Sequence, residues 1–388
     1  MHSGKFVLAQ LLDWIHPQQF QRCVARYGGD YKVRSFSCWD QFLCLAFAQL
    51  TYRESLRDIE ACLRSRRPQL YHLGLRGEIA RSTLAEANES RDWRIYADLA
   101  QGLIGQARQL YADADLGVEL EQTAYALDAT TIDLCLSLFP WARFRRTKGA
   151  VKMHTLLDVR GSIPTTVCVS EGRTHEVNWL DHLALESNAI YIMDRGYLDF
   201  ARLHAIEQAQ AFFVIRAKDR LNYCRLHSHP VLRATGLRSD QTISLTGFYP
   251  ARFYPDKLRR VRFYDVEQER ALVFLTNHFG LPALTISRLY CLRWRVELFF
   301  KWIKQHLRIK AFYGTSPNAV RTQLWIAVSV YVLVAIIRKQ LKIEASMFTI
   351  LQILSVSAFD KTSLPQLFAN VERQSLTDNS HNQLLLFN

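Results

Sequence analysis

Three acidic positions in this sequence stand where a carboxylate could do chemistry. Asp128 lies within an apolar run, preceded by Tyr125-Ala126-Leu127 and followed by Ala129-Thr130-Thr131. Burying it in a strand is costly unless a cation pairs with it. Asp194 ends the run Ala189–Met193 and opens the turn Asp194-Arg195-Gly196-Tyr197. The C-terminal end of a strand is where open α/β sheets place their sites. Glu297 sits in Tyr290–Lys304, a stretch without Gly or Pro whose apolar residues recur at helical spacing. On one helix Tyr290, Arg293, Glu297, Lys301 and Lys304 share an arc of roughly 80°, beside an apolar face of Leu289, Leu292, Val296, Phe299, Phe300 and Ile303. Three converging carboxylates can hold two Mg²⁺ ions about 3.5–4 Å apart, which activate a nucleophile and stabilise the leaving oxygen in phosphoryl transfer. Each position also has a purely structural account. Asp128 could pair with an arginine, Asp194 could cap the helix that follows, and Glu297 could form i,i+4 pairs with Arg293 and Lys301 on a solvated face.

The charge balance favours a polyanionic partner. Lys plus Arg number 49 against 36 Asp plus Glu, a net +13 over 388 residues, which suits nucleic acid or an acidic membrane. The membrane reading is weak. Residues 6–15 are too short and too polar for a signal or an anchor, and the apolar run Leu324–Ile337 falls short of the ~20 residues a span needs, so it reads as a buried helix. The eight cysteines form no C-x-x-C pair, which points to reduced, buried thiols in a cytoplasmic protein.

These residues need elements to position them. Helical spacing marks Leu8–Ile15, Trp39–Leu50, Glu54–Arg64 and the segment from Thr83, where Thr83 and Glu86 make a capping-box pattern. Arg64, Arg66, Arg67, Arg76 and Arg81 cluster around the join of the last two, which suits a helical DNA-binding module over residues 1–115. From Tyr125 the pattern becomes short apolar strands: 125–134, 151–159, 163–170, 189–194, 212–216 and 271–276, with helical patterns at 179–185 and 200–208. That alternation indicates an α/β fold with a mixed sheet and helices on its faces. Residues 221–270 read as a β-rich insertion, with strands at 241–249 and 259–266. The domain plan is then 1–115, a catalytic region 120–345 interrupted by 221–270, and a helical segment and flexible tail over 346–388.

The spacing Tyr290, Arg293, Glu297, Lys304, joined to the stretches LDATTID around Asp128 and MDRGY around Asp194, resembles the signature of bacterial insertion-sequence transposases of the DDE type, in the insertion-sequence-four family. The resemblance covers the whole chain, since the helical N-terminus and the β-rich insertion are also family features. It implies a ribonuclease H-like core on a mixed five-stranded sheet, with the first Asp on the central strand, the second just after the fourth strand and the Glu on a late helix. Asp128, Asp194 and Glu297 would then bind two Mg²⁺ ions, with Mn²⁺ able to substitute, for cleavage at transposon ends and strand transfer. Tyr290, Arg293 and Lys304 would grip phosphates near the cut end, with Lys301 and Arg195 as weaker contacts. The implied partners are double-stranded DNA, both terminal inverted repeats and target, and a second copy of the chain in the DNA complex. The implied location is the cytoplasm, on the nucleoid.

Some members of that family form a hairpin on the transposon end and hold a flipped base on an aromatic ring of the insertion. Here the insertion has no Trp; Tyr249, Phe253, Tyr254 and Phe263 are the substitutes, and Trp294 lies on the Glu297 helix. Arg143, Arg145, Arg146, Lys148 and Lys152 form a basic turn between the first two strands, suited to tracking a phosphate backbone or simply to a solvated loop. His154, which alternates with apolar neighbours, reads as a core histidine, and His175 carries no further signal. Gln383–Phe387 resembles the short peptide by which bacterial proteins dock on the replication sliding clamp; packing back on the chain's own core is the competing account. Two other functions fit the same residues: a ribonuclease H-like nuclease or resolvase without strand transfer, and a DNA-binding regulator that has lost catalysis.

Overall fold

Alternation along an interior strand decides which way the first acid points. Tyr125 and Leu127 face one side of the sheet and Ala126 and Asp128 the other, within strand β1 (Ala124–Leu134). The computed structural model describes residues 4–75, 77–218, 220–266, 269–306 and 312–369. Before β1 come helices α1 (Val7–Leu12), α2 (Pro17–Arg26), α3 (Cys38–Leu50), α4 (Leu56–Ser65), α5 (Arg67–Leu70), α6 (Arg81–Ser90) and α7 (Arg94–Tyr111). After it come β2 (Arg143–Arg145), β3 (Lys148–Asp158), β4 (Ile163–Glu171), β5 (Ile190–Met193), α8 (Phe200–Gln208), β6 (Phe212–Arg216), β7 (Tyr223–His229), β8 (Leu237–Leu245), α9 (Phe248–Phe253), β9 (Leu258–Asp265) and β10 (Arg270–Thr276). The chain continues through α10 (Ala283–Leu292), α11 (Trp294–His306), α12 (Pro317–Gln340) and α13 (Met347–Ser357).

The strands form one mixed sheet, ten-stranded among the described residues, in the order β3-β1-β5-β6-β10-β9-β8-β7. β4 and the short β2 pair with the outer side of β3. The β1–β5 and β5–β6 pairs are parallel; β1–β3, β6–β10 and the pairs beyond are antiparallel. The sheet therefore exceeds the five strands expected, and the strands of the β-rich segment 221–270 are continuous with it. Strands of residues 221–270 continue the sheet beyond β10, whose outer edge would otherwise leave backbone N–H and C=O groups open. Sequence missed β7, whose alternation is hidden because nearly all its side chains are exposed.

One sheet face buries Tyr125, Leu127, Tyr191, Met193, Phe213 and Ile215 with Leu203 and Ile206 of α8. Full burial of each such side chain is worth about 1.5–3 kcal/mol. On the opposite face α10 packs across β5, β6, β8 and β9, its Tyr290 ring 4.6 Å from that of Phe274. The loop that delivers α10 is held by Arg259 of β9. Its guanidinium grips Asp240 of β8 at 2.9 and 2.8 Å and donates to the carbonyls of His278, Phe279 and Leu281. Both side chains of the ion pair are 7% exposed.

The described residues fall into two compact units: one within Met1–Tyr111, Ser137–Trp141 and Lys301–Asn388, the other within Ala112–Leu136 and Ala142–Phe300. Residues 301–345, expected with the catalytic region, thus cluster with the N-terminal helices. The reason is α12, which packs on α7, α3 and α6. It is long and apolar enough to cross a membrane, yet 94% of its most apolar window is buried within the fold. The Thr83–Glu86 capping box does not form. α6 starts at Arg81, so Thr83 lies inside the helix, and the backbone N–H of Arg81 donates to Glu60 at 3.2 Å. A capping box occurs instead at Ser37 and Asp40 of α3. The 179–185 pattern is realised as a 3₁₀ segment, Glu176–His182. No cysteine is in a disulfide, and Cys135, Cys224 and Cys291 are exposed, against the expectation of burial for all eight.

His154 of β3 is 1% exposed, stacked 5.4 Å from Trp179 and 2.8 Å from the Ser170 hydroxyl. Burial, helped by Lys152, pushes its pKa down to about 4. A depressed histidine adds stability that is present above its unfolded pKa, about 6.5, and is lost as pH falls through 4. The drop in urea midpoint from pH 7 to pH 5 should therefore be smaller for His154→Gln than for the wild type. Arg259→Ala should destabilise the fold by about 3–5 kcal/mol, because it strands Asp240 as a buried charge; chemical denaturation monitored by circular dichroism measures it.

Candidate active site

The β1–β5 register brings the first two acids side by side. Leu127 pairs with Met193 across the parallel strands, so Asp128 is level with Asp194, which follows the end of β5. Strands at this spacing are about 4.8 Å apart. Asp194 also caps the 3₁₀ turn Arg195–Tyr197, one carboxylate oxygen accepting from Gly196 N–H at 2.8 Å. The structural account of Asp194 therefore holds, and one oxygen remains outside it.

Glu297 arrives on α11, and its link to Asp128 is Arg293. The expected single helix Tyr290–Lys304 is interrupted at Arg293, between α10 and α11. There the backbone uses i→i+3 hydrogen bonds, Arg293 N–H to Tyr290 O at 3.1 Å and Val296 N–H to Arg293 O at 3.0 Å, which tighten the turn. From this junction Arg293 Nη1 reaches Asp128 Oδ2 at 2.8 Å and Nη2 reaches Glu297 Oε1 at 2.5 Å. Arg295 Nη1 donates to the Val159 carbonyl at 2.5 Å and ties the start of α11 to the end of β3.

The electrostatics follow from burial. Asp128 is pushed up to about 6, burial being the main cause, opposed by Arg293 and reinforced by Asp194 and Glu176. Burial acts to lower Arg293, but Tyr290, Asp128 and Glu297 hold it above its ordinary range. Among the described residues no three His, Cys, Asp or Glu side chains are gathered as a metal site. Physically, a guanidinium already stands between Asp128 and Glu297.

Other expected residues are placed unevenly. Tyr290 is 8% exposed, with Arg293 5.7 Å over its ring. Arg195 is exposed next to Asp194, and Arg143, Arg145, Arg146 and Lys148 are exposed on the β2–β3 hairpin. Lys152, expected with that hairpin, is instead turned to Glu176 at 3.2 Å and the Thr174 carbonyl at 2.9 Å. Lys301 is exposed and Lys304 half-buried, and both belong to the other compact unit. Arg64, Arg66, Arg67 and Arg81 are exposed, Arg64 paired with Glu60 and Arg67 with Glu78; Arg76 lies outside the described residues, as does Gln383–Phe387. Tyr254 is excluded as a base-stacking ring, because it is fully buried and hydrogen-bonded to Glu207. Phe263 is half-buried, whereas Phe248, Tyr249 and Phe253 of α9 and Trp294 are exposed.

Two neighbours escaped the sequence reading. Glu176 adds a fourth carboxylate to the field at Asp128 and Tyr197; it lies in a polar segment with no periodicity to mark it. Tyr197 is fully buried, and its hydroxyl has no hydrogen-bond partner among the described residues. Its place in the Asp194 turn was the available signal.

Residues 119–333 match the family described as Transposase DDE domain, and residues 3–76 match a domain of unknown function, DUF4372. The chain is 30% identical over 303 residues to the transposase-named y4zB protein of Sinorhizobium fredii, covering 77% of this chain and 82% of that one. It is 31% identical over 218 residues to the transposase-named protein of insertion sequence element IS5377 in Geobacillus stearothermophilus, covering 56% of this chain and 57% of that one. A piggyBac transposase, solved as a synaptic complex with hairpin DNA, overlaps 98% of this chain and 86% of its own at 10% identity and a TM-score of 0.43. The matched domain spans more than half the chain and contains Asp128, Asp194 and Glu297, and by that match the chain belongs to the Transposase DDE domain family and is a DNA transposase.

Proposed function

We propose that the chain cuts and joins DNA with two divalent metal ions held by Asp128, Asp194 and Glu297, as a member of the insertion-sequence-four family. The observation that carries this reading is the convergence of Asp128 and Glu297, from a central strand and a distant helix, on a single cation, Arg293. A buried position where two carboxylates demand positive charge is a fit for a divalent ion, and an all-oxygen donor set suits Mg²⁺, with Mn²⁺ able to replace it. Bound ions would supply Lewis-acid activation of water and stabilisation of the leaving oxygen. The protein's own part is positional. β1 and β5 set the two aspartates level, α11 carries the glutamate, and Tyr290, Arg293 and Lys304 are assigned to phosphates near the cut end, with Lys301 and Arg195 as further contacts.

The ribonuclease H-like reading of the core is supported by placement. Asp128 is on β1, which is flanked by β3–β4 and β5–β6; Asp194 follows β5, and Glu297 is on a late helix. In the same proposal the helices of residues 1–115 bind DNA, two copies act together on paired ends in the bacterial cytoplasm, on the nucleoid, and Gln383–Phe387 docks on the sliding clamp. If a hairpin end forms, Tyr249 and Phe253 are the rings suited to a flipped base. They are exposed on α9, with ring centroids 6.3 Å apart and planes within 12°, and stacking on such rings tolerates any base.

Glu297→Gln keeps the side chain's size and removes its charge. Cleavage of a labelled duplex carrying the element's ends in Mg²⁺ should fall by at least about 10³-fold, with end binding by gel shift retained; equal cleavage by the variant would refute the assignment. Replacing Arg145, Arg146 and Lys148 together by Ala should weaken binding to all duplexes. It should also flatten the slope of log affinity against log salt by about 0.9 for each DNA phosphate that the variant no longer neutralises.

A further inference from the structure

We infer that Arg293 is an internal counter-ion which occupies the metal position in the DNA-free protein, so that engagement of a DNA phosphate by Arg293 licenses metal loading. This rests on the two-metal reading above. The geometry is specific. One guanidinium spans an acid from β1 at 2.8 Å and an acid from α11 at 2.5 Å, with Asp128 and Arg293 side chains each 16% exposed and Glu297 33%. A divalent cation and a guanidinium repel each other, and both need the facing oxygens of Asp128 and Glu297, so occupancy of that position is exclusive. Arg293 is also incompletely satisfied, since its buried Nε has no hydrogen-bond partner among the described residues.

Arg293 has somewhere else to go. A cavity of about 600 Å³ adjoins it, lined by Tyr290, Trp294, Thr235, Gly236, Phe263 and Arg270 among others. Arg270 and its register partner Asp265 also line it, and a backbone phosphate entering the cavity would be an alternative bidentate partner for the Arg293 fork. Moving Arg293 from the acids to a phosphate exposes Asp128 and Glu297 together. By linkage, any ligand that draws Arg293 away must raise metal affinity, and metal must raise affinity for that ligand by the same factor. Arg293 is thus a positioning residue that keeps the acids folded and neutralised until DNA arrives.

The test is Mn²⁺ affinity, read from the electron paramagnetic resonance signal of free Mn²⁺, for the full chain without DNA. Arg293→Ala should bind Mn²⁺ about 10-fold more tightly than the wild type, within the usual range of coupling factors. The wild type should gain a similar factor on adding a short duplex of the element's end, after subtracting the signal change given by the same duplex with Asp128→Asn. Arg293→Ala should gain little more from that duplex. If Arg293→Ala binds Mn²⁺ no more tightly than the wild type while Asp128→Asn abolishes binding in both backgrounds, the counter-ion role is overturned and the metal reading stands. If the variant does not fold, the wild-type comparison decides, and no gain with DNA overturns the inference. Absence of any Asp128-dependent Mn²⁺ binding, with or without DNA, overturns both readings.

Discussion

The structure depends on one expensive act: placing the carboxylate of Asp128 in an interior strand of a sheet. Desolvation of that group raises its pKa to about 6, and an unpaired buried charge there would oppose folding. Arg293 resolves the conflict from across the fold, 165 positions away in sequence. Because its other arm holds Glu297, the compensation of one acid also delivers the second. Folding energy and the assembly of the site are therefore the same interaction. Such an arrangement stores a liability within the sheet, since removing Arg293 would leave two carboxylates uncompensated.

The strands of residues 221–270 act on that interaction at a distance. By extending the sheet beyond β6 they give α10 a broad surface to lie on, and Arg259 fastens the loop leading into α10 through three carbonyls. A bidentate arginine–carboxylate pair inside the sheet is a rigid fixture rather than a surface ornament. The direction of α10 fixes the junction at Arg293, and that junction fixes how far the guanidinium reaches. The segment that reads as an insertion in sequence is, mechanically, part of the mount for the helices that carry Arg293 and Glu297. Its helix α9 packs on α8 and β8 and leaves Phe248, Tyr249 and Phe253 exposed.

The net charge of +13 is used differently in different places. On the β2–β3 hairpin the cations Arg143, Arg145, Arg146 and Lys148 face solvent. Lys152, a few residues on, is turned inward to Glu176, because the strand's alternation carries it to a position where a carboxylate is waiting. Arg293 is the extreme case, a cation that in this structure is paired with two carboxylates of the fold. Charge density alone predicts a polyanionic partner but does not say which cations remain available to it.

Residue spacing by itself determined most elements and singled out Asp128, Asp194 and Glu297 as candidate acids. Alternation marked β1, β3, β5 and β6, and helical recurrence marked α3, α8 and the Tyr290–Lys304 stretch, since these patterns are local consequences of which face is buried. The three carboxylates drew notice because each sits at an odd place in such a pattern. What sequence left open was pairing. Whether Asp128 meets an arginine, and which one, is a contact between β1 and the α10–α11 junction that no local periodicity encodes. The same holds for the extension of the sheet through β10, for the clustering of α12 with the N-terminal helices, and for Glu176, which has no pattern around it. Local rules act over a few residues, whereas these features depend on long-range contacts that exist only once the chain has closed on itself.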